Sequence, residues 1–338
     1  MKTLVTGATG FVGSHVAGRL LSAGHTVRVL ARRESDARAL RGMDVERVEG
    51  DLRDPASLNR ALAGVAWVFH VAADYRLWSP RPQEIYESNV AGTRNLLEAA
   101  RRSGVERFIY TGTVATVAVD RLSLPTESTI SSLNEMVGHY KRSKWLAEQA
   151  VLDAANSGVP AVIAMPTTPV GPGDWKPTPT GKIIVDFLTG KMPGYVETGL
   201  NFVAVEDVAD GHLLAAEKGR IGERYLLGAE NLTLKQVLDA LSDATGIPAP
   251  RLKMPHAIAL GYAYAENALS RILGRVPQVP VEAVKIARHN MFVDCSKALR
   301  ELGFQASPVR AALERAVRWY EDNGYVRTGV RREVAAAA

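Results

Sequence analysis

Short apolar runs alternate with helical periodicity through the first half of the chain. Six runs predict strands, at 3–5, 27–30, 45–49, 67–71, 108–110 and 162–165. Helical patterns lie between these strands. One follows the first strand, one lies around 35–40, one starts after Asp54 with Pro55 at its first position, and two cover 85–102 and 132–156. The last begins with the capping-box pattern Ser132-x-x-Glu135. This strict alternation predicts an α/β fold with a doubly wound parallel sheet.

The pattern changes at Pro166. Residues 166–181 contain five prolines and three glycines, which predicts a long irregular loop, either functional or mobile. Beyond it, segments near 202–205 and 225–227 are expected to return to the sheet. Helices are predicted near 233–245, 256–273, 281–289 and 308–323. We therefore expect a dinucleotide-binding domain at 1–166, with returning segments near 202–228, and a smaller, mostly helical substrate cap at 167–330.

The helix at 256–273 is apolar but contains Glu266 and Asn267. A buried position in the cap is favoured for it, and contact with a partner or a membrane surface is the alternative.

Composition narrows the class of protein. The chain has 338 residues and a net charge of +5, with its basic residues scattered and offset by nearby carboxylates, which favours a solvated surface over a nucleic-acid interface. Cys295 is the single cysteine, so no intrachain disulfide forms. No apolar run is long enough for a membrane span, no residue spacing suggests a metal site, and a glycine loop at residue 7 leaves no room for a secretory signal. A cytoplasmic protein is expected.

Three glycines follow the first predicted strand at three-residue spacing. Gly7 permits a tight turn, Gly10 leaves room for a pyrophosphate, and Gly13 lets the next helix pack closely on its strand. The N–H groups at the start of that helix are directed at the anion. Within a βαβ unit, this motif predicts a dinucleotide site.

Tyr140 and Lys144 lie one helical turn apart and share a face, which Met136, Ala147 and Val151 extend. An ammonium beside a phenol favours the phenolate, so we expect the pKa of Tyr140 to fall below its usual value of about 10. The pair predicts a proton donor or acceptor for a carbonyl/alcohol couple.

Together, the two motifs resemble those of the extended short-chain dehydrogenase/reductases over nearly the whole chain. The resemblance implies that Tyr140 and Lys144 are the catalytic pair, that Thr113 takes the place of the family's serine with Thr111 as the alternative, and that Asn89 matches a family asparagine. A threonine hydroxyl can make the same hydrogen bond as serine, although its methyl group crowds the site. The implied cofactor contacts are Gly7, Thr9, Gly10, Phe11, Val12, Gly13, Asp51, Leu52, Ala72, Ala73, Thr111, Tyr140, Lys144, Pro166 and Thr168.

Within the family, residues 71–78 and 176–188 resemble the hopanoid-associated sugar epimerases, a group similar to dihydroflavonol-4-reductases. Both a reductase and an epimerase are therefore compatible with the resemblance, which also allows a homodimer.

The end of the second strand indicates the cofactor. An NAD enzyme carries Asp or Glu about twenty residues beyond the glycines, as an acceptor for the ribose hydroxyl. Here Ala31 is followed by Arg32 and Arg33, and arginine pairs well with a phosphate. NADP(H) is predicted, with NAD(H) possible if the arginines contact only solvent.

Two segments are candidates for the substrate crevice. They are Tyr75, Arg76 and Trp78, and Trp175 with Lys176; packing under a lid is the alternative for both. The favoured function is NADP(H)-dependent hydride transfer to a small carbonyl/alcohol substrate. A nucleotide-sugar epimerase or dehydratase that retains NAD(P), and a non-catalytic NADP(H)-binding sensor, are the alternatives.

Overall fold

Two β-sheets and twelve α-helices make up residues 1–118, 123–129 and 131–326, the part of the chain that the computed structural model describes. The strands are β1 (Lys2–Thr6), β2 (Thr26–Ala31), β3 (Glu46–Glu49), β4 (Trp67–His70), β5 (Arg107–Thr111), β6 (Ala161–Pro166), β7 (Thr168–Val170), β8 (Gly199–Ala204), β9 (Arg224–Leu227) and β10 (Glu230–Thr233). The helices are α1 (Phe11–Ser22), α2 (Pro55–Leu62), α3 (Gln83–Tyr86), α4 (Gly92–Ser103), α5 (Gly138–Asn156), α6 (Pro179–Leu188), α7 (Val205–Lys218), α8 (Leu234–Thr245), α9 (His256–Ile272), α10 (Val281–Ile286), α11 (Ser296–Leu302) and α12 (Val309–Asp322).

The larger sheet has seven parallel strands in the order β3-β2-β1-β4-β5-β6-β9. The chain runs outward from β1 in one direction and then restarts at β4 in the other. The neighbours β1 and β4 therefore form a topological switch point, where a crevice opens beyond their carboxyl ends. The doubly wound α/β fold is confirmed.

Alternate side chains along each strand enter two separate cores. Phe108 and Tyr110 pack with α2, α4 and α5 on one face, and Ile109 packs with α1, α7 and α11 on the other. Because helices cover both faces, the inner strands are mostly buried and largely apolar, whereas β3 at the edge is charged at three of its four positions. This burial makes the strands readable as continuous apolar runs.

The smaller sheet, β10-β8-β7, corrects two expectations. The segment near 202–205 forms most of β8, which pairs with β7 and β10 rather than with the main sheet. The segment near 225–227 does return to the main sheet, as β9. The proline-rich segment is also not wholly irregular, since it contains β7 and the start of α6. Pro179 occupies the first turn of α6, and Thr178 accepts a hydrogen bond from Gly181 N at 3.1 Å as its N-cap. The prolines therefore mark element boundaries.

Three predicted helices differ in detail. The helix around 35–40 is only a 3₁₀ turn, Arg38–Leu40. The capping box at Ser132 and Glu135 forms, but it encloses another 3₁₀ turn, and α5 begins at Gly138, so Met136 lies outside the helix. The helix at 85–102 contains a π turn, Glu87–Ala91. The helices α7 and α11 were not predicted.

Helix α9 has the expected position in the chain, but the expectation that it is buried is wrong, because its large apolar side chains are exposed. No helix in the described ranges is long and apolar enough to cross a bilayer. The division into domains near residue 166 stays a prediction, and residues 327–330 of the expected cap lie outside the described residues.

Candidate active site

The glycine turn sits at the switch point and requires its glycines. Gly7 has a φ of +74°, and a Cβ there would lie 2.6 Å from the backbone of Ala72 on the neighbouring strand connection. A Cβ on Gly13 would lie 2.1 Å from the carbonyl oxygen of Gly7. The turn therefore packs against both β4 and α1 with no room for a side chain.

The start of α1 is open toward the crevice. Gly10 is its N-cap residue, and no side chain among the described residues caps the helix. A Cβ on Gly10 would meet only the carbonyl oxygen of Gly7, at 3.3 Å. Free N–H groups at a helix N-terminus attract an anion. This cradle fits the pyrophosphate of a dinucleotide, with Thr9, Phe11 and Val12 around it.

Tyr140 and Thr113 come together at the end of β5. Thr113 caps the 3₁₀ turn Val114–Thr116 through a 3.2 Å hydrogen bond from Ala115 N, and its hydroxyl lies close to the Tyr140 phenol. Burial raises the pKa of Tyr140, and the Thr113 hydroxyl offsets part of that rise.

Lys144 is buried below this pair. Its Nζ donates to the carbonyl oxygen of Thr111 at 2.7 Å and lies 4.2 Å from the ring centroid of Tyr110. Burial lowers the pKa of Lys144 to about 7, with Glu148 acting in the opposite direction. The expectation that Lys144 lowers the pKa of Tyr140 is wrong, because burial dominates the phenol and the ammonium is bound to the strand.

Thr111 and Thr113 face different surroundings. The Thr111 hydroxyl lies 2.9 Å from Nε2 of His212, a buried residue of α7 whose Nδ1 lies 2.8 Å from Val208 O. Thr113, in contrast, faces the phenol. Of the two threonines, Thr113 is the one whose hydroxyl lowers the pKa of Tyr140.

Asn89, carried by the π turn, ties the crevice together. Its Nδ2 donates to Asp74 O and to Ser143 Oγ, both at 2.9 Å, and its Oδ1 accepts from Asp74 N at 2.7 Å. Ser143 in turn donates to Tyr140 O at 2.8 Å. The asparagine thus fixes the segment after β4 relative to the helix that carries Tyr140.

His70 is a structural histidine, buried between β1 and α4. Its ring nitrogens lie 2.7 Å from Thr6 Oγ1 and 2.9 Å from Thr93 Oγ1, and burial lowers its pKa to about 3. The neutral ring therefore links the glycine strand to α4.

Basic side chains collect at the ends of β2 and β3. Ala31 is buried, and Arg32 and Arg33 follow it with exposed side chains. The Asp51 carboxylate accepts from Arg53 at 2.8 and 3.0 Å. Arg53 therefore lowers the pKa of Asp51, and Arg32 adds a smaller effect of the same sign. Arg53 was not predicted as part of this site, although it lies only two residues after Asp51 in the sequence.

The remaining predicted cofactor residues lie at strand ends near the same edge. Leu52 is buried, with its carbonyl oxygen accepting from Asn95 at 3.0 Å, and Ala72 and Ala73 follow β4. Pro166 ends β6 and Thr168 begins β7.

The first substrate segment follows β4. Tyr75 is exposed and Trp78 is half-buried. The side chain of Arg76 forms three hydrogen bonds to Asp74, at 2.6, 2.9 and 3.0 Å, and one to Glu84 at 3.2 Å, so it braces the loop.

The second substrate segment packs elsewhere. Trp175 lies edge-on to Trp319, with ring centroids 4.9 Å apart, and the Arg38 guanidinium lies 4.9 Å from its ring. Its carbonyl oxygen accepts from Tyr325 at 2.7 Å, while Lys176 is exposed. These contacts are the packing alternative for Trp175.

Comparison with known proteins gives relatives over most of the chain. The profile of the NAD dependent epimerase/dehydratase family matches residues 3–228. A putative dihydroflavonol 4-reductase from Synechocystis is 45% identical over 96% of both chains. Sterol demethylase protein B from Methylococcus capsulatus is 38% identical over 96% of this chain and 100% of its own.

A solved structure gives the same result. A nucleoside-diphosphate-sugar epimerase from Pseudomonas aeruginosa superposes with a TM-score of 0.80 at 30% identity, covering 97% of this chain and 99% of its own. Members of the family are oxidoreductases, epimerases or dehydratases that use NAD or NADP. The chain belongs to the NAD dependent epimerase/dehydratase family, within the extended short-chain dehydrogenase/reductases.

Proposed function

We propose that this protein is an NADP(H)-dependent reductase of the dihydroflavonol-4-reductase type, which reduces a carbonyl group of a small organic substrate to an alcohol. The observation that carries the proposal is the close approach of the Thr113 and Tyr140 hydroxyls at the switch-point edge, beside the open glycine cradle.

The raised pKa of Tyr140 favours reduction over oxidation. Burial favours the protonated phenol, which is the form that can donate a proton to a carbonyl oxygen. Thr113 would donate a hydrogen bond to the same oxygen and orient it. Proton donation is the half of the reaction that a reductase needs from its tyrosine.

Lys144 would act on the cofactor side. Its ammonium donates one hydrogen bond to Thr111 O, and an ammonium has three donors, so two remain for ribose hydroxyls. The glycine cradle and the start of α1 would hold the pyrophosphate. The nicotinamide supplies the hydride when it is bound.

The preference for NADP(H) rests on the ends of β2 and β3. The carboxylate of Asp51 is already engaged by Arg53, and the position at which NAD enzymes carry an acid is Ala31. Arg32 and Arg33 are exposed beside it. A 2′-phosphate would find guanidinium partners there, whereas a ribose hydroxyl would find no carboxylate at position 31.

The likeness to a nucleoside-diphosphate-sugar epimerase supports a second candidate, an epimerase that oxidises and re-reduces its substrate with retained NAD(P). Purification separates the two candidates. An epimerase retains bound nicotinamide through dialysis, whereas a reductase that exchanges its cofactor at each turnover loses it.

The experiment for the reductase is a panel of carbonyl substrates assayed by NADPH oxidation. We expect turnover by the wild type, and none by Tyr140→Phe, which loses the proton donor but keeps NADPH affinity within a few-fold. Near-normal turnover by Tyr140→Phe would contradict the assignment of the proton donor.

A further inference from the structure

Helix α9 is oriented opposite to an ordinary surface helix, because it packs on the protein through its small and polar side. Its buried residues are Ala259, Ala263, Glu266, Asn267 and Ser270. Its large exposed apolar residues are Ile258, Tyr262, Tyr264, Leu269 and Ile272. A surface helix normally buries its apolar stripe, so the outward stripe on α9 needs an occupant.

The exposed stripe is long and continuous. Ile258, Tyr262, Leu269 and Ile272 recur at helical spacing on one side, and Ile272 is 81% exposed. Beyond the end of the helix, Val276 adds a side chain that is 68% exposed.

Buried polar contacts fix this orientation. Asn267 Nδ2 donates to Ala263 O at 2.7 Å and to Val279 O at 2.8 Å. Glu266 accepts from Ser270 at 3.0 Å and pairs with Arg275 at 2.9 Å. The bond from Asn267 to Val279 reaches beyond the helix, so rotating the helix to bury the apolar stripe would break it, and the outward stripe is therefore a specified feature of the fold.

The charge of this region indicates what it contacts. Residues 251–290 contain six Lys or Arg and two Asp or Glu, a net charge of +4 in a chain whose total is +5. One of the two carboxylates, Glu266, is buried against Arg275. Of the six basic residues, Lys253 pairs with Glu197, outside this segment, and Arg275 pairs with Glu266. The other four, which form no ion pair with a described residue, are Arg251, Arg271, Lys285 and Arg288.

We propose that α9 is an interfacial helix that docks this protein on an anionic lipid bilayer. The apolar stripe would lie at the boundary between the lipid headgroups and the acyl chains. The basic residues Arg251, Arg271, Lys285 and Arg288 would contact lipid phosphates. A second copy of the chain is disfavoured as the occupant, since a two-fold contact would set the same positive patch against itself.

Vesicle flotation of the full chain tests the proposal. We expect flotation with vesicles of phosphatidylcholine mixed with phosphatidylglycerol, weaker binding to pure phosphatidylcholine, and release at high salt. The triple variant Ile258→Ser/Leu269→Ser/Ile272→Ser should reduce the partition coefficient by at least about tenfold.

The matched control is Ile221→Ser/Leu299→Ser, which removes side chains of similar exposure (53% and 54%) outside the segment. It should bind vesicles like the wild type. Thermal unfolding and NADPH titration check that both variants are folded. If the triple variant is not, Arg251→Gln/Arg271→Gln/Arg288→Gln replaces it and should weaken binding to the anionic vesicles alone.

Three results would overturn the proposal. They are failure of the wild type to bind the anionic vesicles, equal binding by wild type and folded α9 variants, and a wild-type dimer that the triple variant converts to monomer in sedimentation velocity. The dimer result would show that a second copy of the chain covers the apolar stripe.

Discussion

The two threonines at the end of β5 make different contacts, and this difference is testable. The Thr113 hydroxyl lies close to the Tyr140 phenol, whereas the Thr111 hydroxyl lies 2.9 Å from Nε2 of His212 in the interior. Thr113→Val keeps the side-chain shape and removes the hydroxyl. We expect kcat to fall roughly 10–100-fold, the value of one hydrogen bond of about 1.5–3 kcal/mol.

Thr111→Val is the matched control, and it should lower the unfolding midpoint more than kcat, because it leaves a buried histidine nitrogen without its partner. Steady-state kinetics and thermal unfolding of both variants decide the matter. If Thr111→Val loses more kcat than Thr113→Val, the assignment of the substrate-orienting hydroxyl is wrong.

Lys144 should cost stability, because its ammonium is buried. Burial lowers its pKa from 10.5 to about 7 in the folded protein, so between these values the unfolded chain binds more protons. The buried ammonium therefore lowers the free energy of unfolding by its full amount below pH 7, and by less as the pH rises toward 10.5. We expect Lys144→Met to raise the unfolding midpoint without nucleotide by a few degrees at pH 7, and by less at pH 10.

Thermal unfolding of both proteins at the two pH values checks this expectation, with the wild type measured in the same buffers as its control. A gain that is larger at pH 10 than at pH 7 would contradict the buried-ammonium account.

At the scale of elements, the glycine turn depends on two separate demands, backbone conformation and space. Gly7 and Gly24 have nearly the same φ, +74° and +78°. A Cβ on Gly7 would lie 2.6 Å from Ala72, whereas a Cβ on Gly24 would meet nothing within 4 Å. Gly24→Ala should cost only the left-handed strain of roughly 1–2 kcal/mol. Gly7→Ala should cost more and also abolish NADPH binding.

Urea unfolding and NADPH titration of the two variants measure the difference. Equal losses of stability, with cofactor binding preserved in both, would show that the close approach to β4 is not required.

Capping boxes and prolines in the sequence predicted boundaries better than they predicted element types. The box at Thr233 and Gln236 forms and starts α8, whereas the same pattern at Ser132 starts only a 3₁₀ turn before the chain bends at Met136. Local hydrogen bonds form in both places, but tertiary packing decides whether the helix continues. The same limit explains α6, whose first turn contains Pro179 within a segment that composition marked as irregular.

At the scale of the whole molecule, the sheet was predictable because helices cover both of its faces. Its inner strands are then largely apolar, and this pattern can be read locally. The small sheet was not predictable, since β7 has three residues and β8 finds its partners through contacts distant in sequence. The outward stripe of α9 was missed for a related reason. Periodicity identifies an apolar face, but it does not say whether another element covers that face.

The site was predictable as far as its residues belong to local motifs. The glycine turn and the helical pair of Tyr140 and Lys144 are such motifs, and both lie at the switch-point edge. The contacts of His212 with Thr111 and of Arg53 with Asp51 depend on how loops and helices meet, so they became visible only in the structure.

A pair of titrations, NADPH and NADH against the wild type at one ionic strength, tests the central claim most directly. One charge-assisted contact from Arg32 to a 2′-phosphate is worth about 1.5–3 kcal/mol, so NADPH should bind on the order of ten to a hundred times more tightly. Ala31→Asp with Arg32→Asn should reverse the preference, by adding a ribose acceptor and repelling the phosphate. Equal affinities in the wild type, or tighter binding of NADH, would contradict the NADP(H) assignment and favour an epimerase.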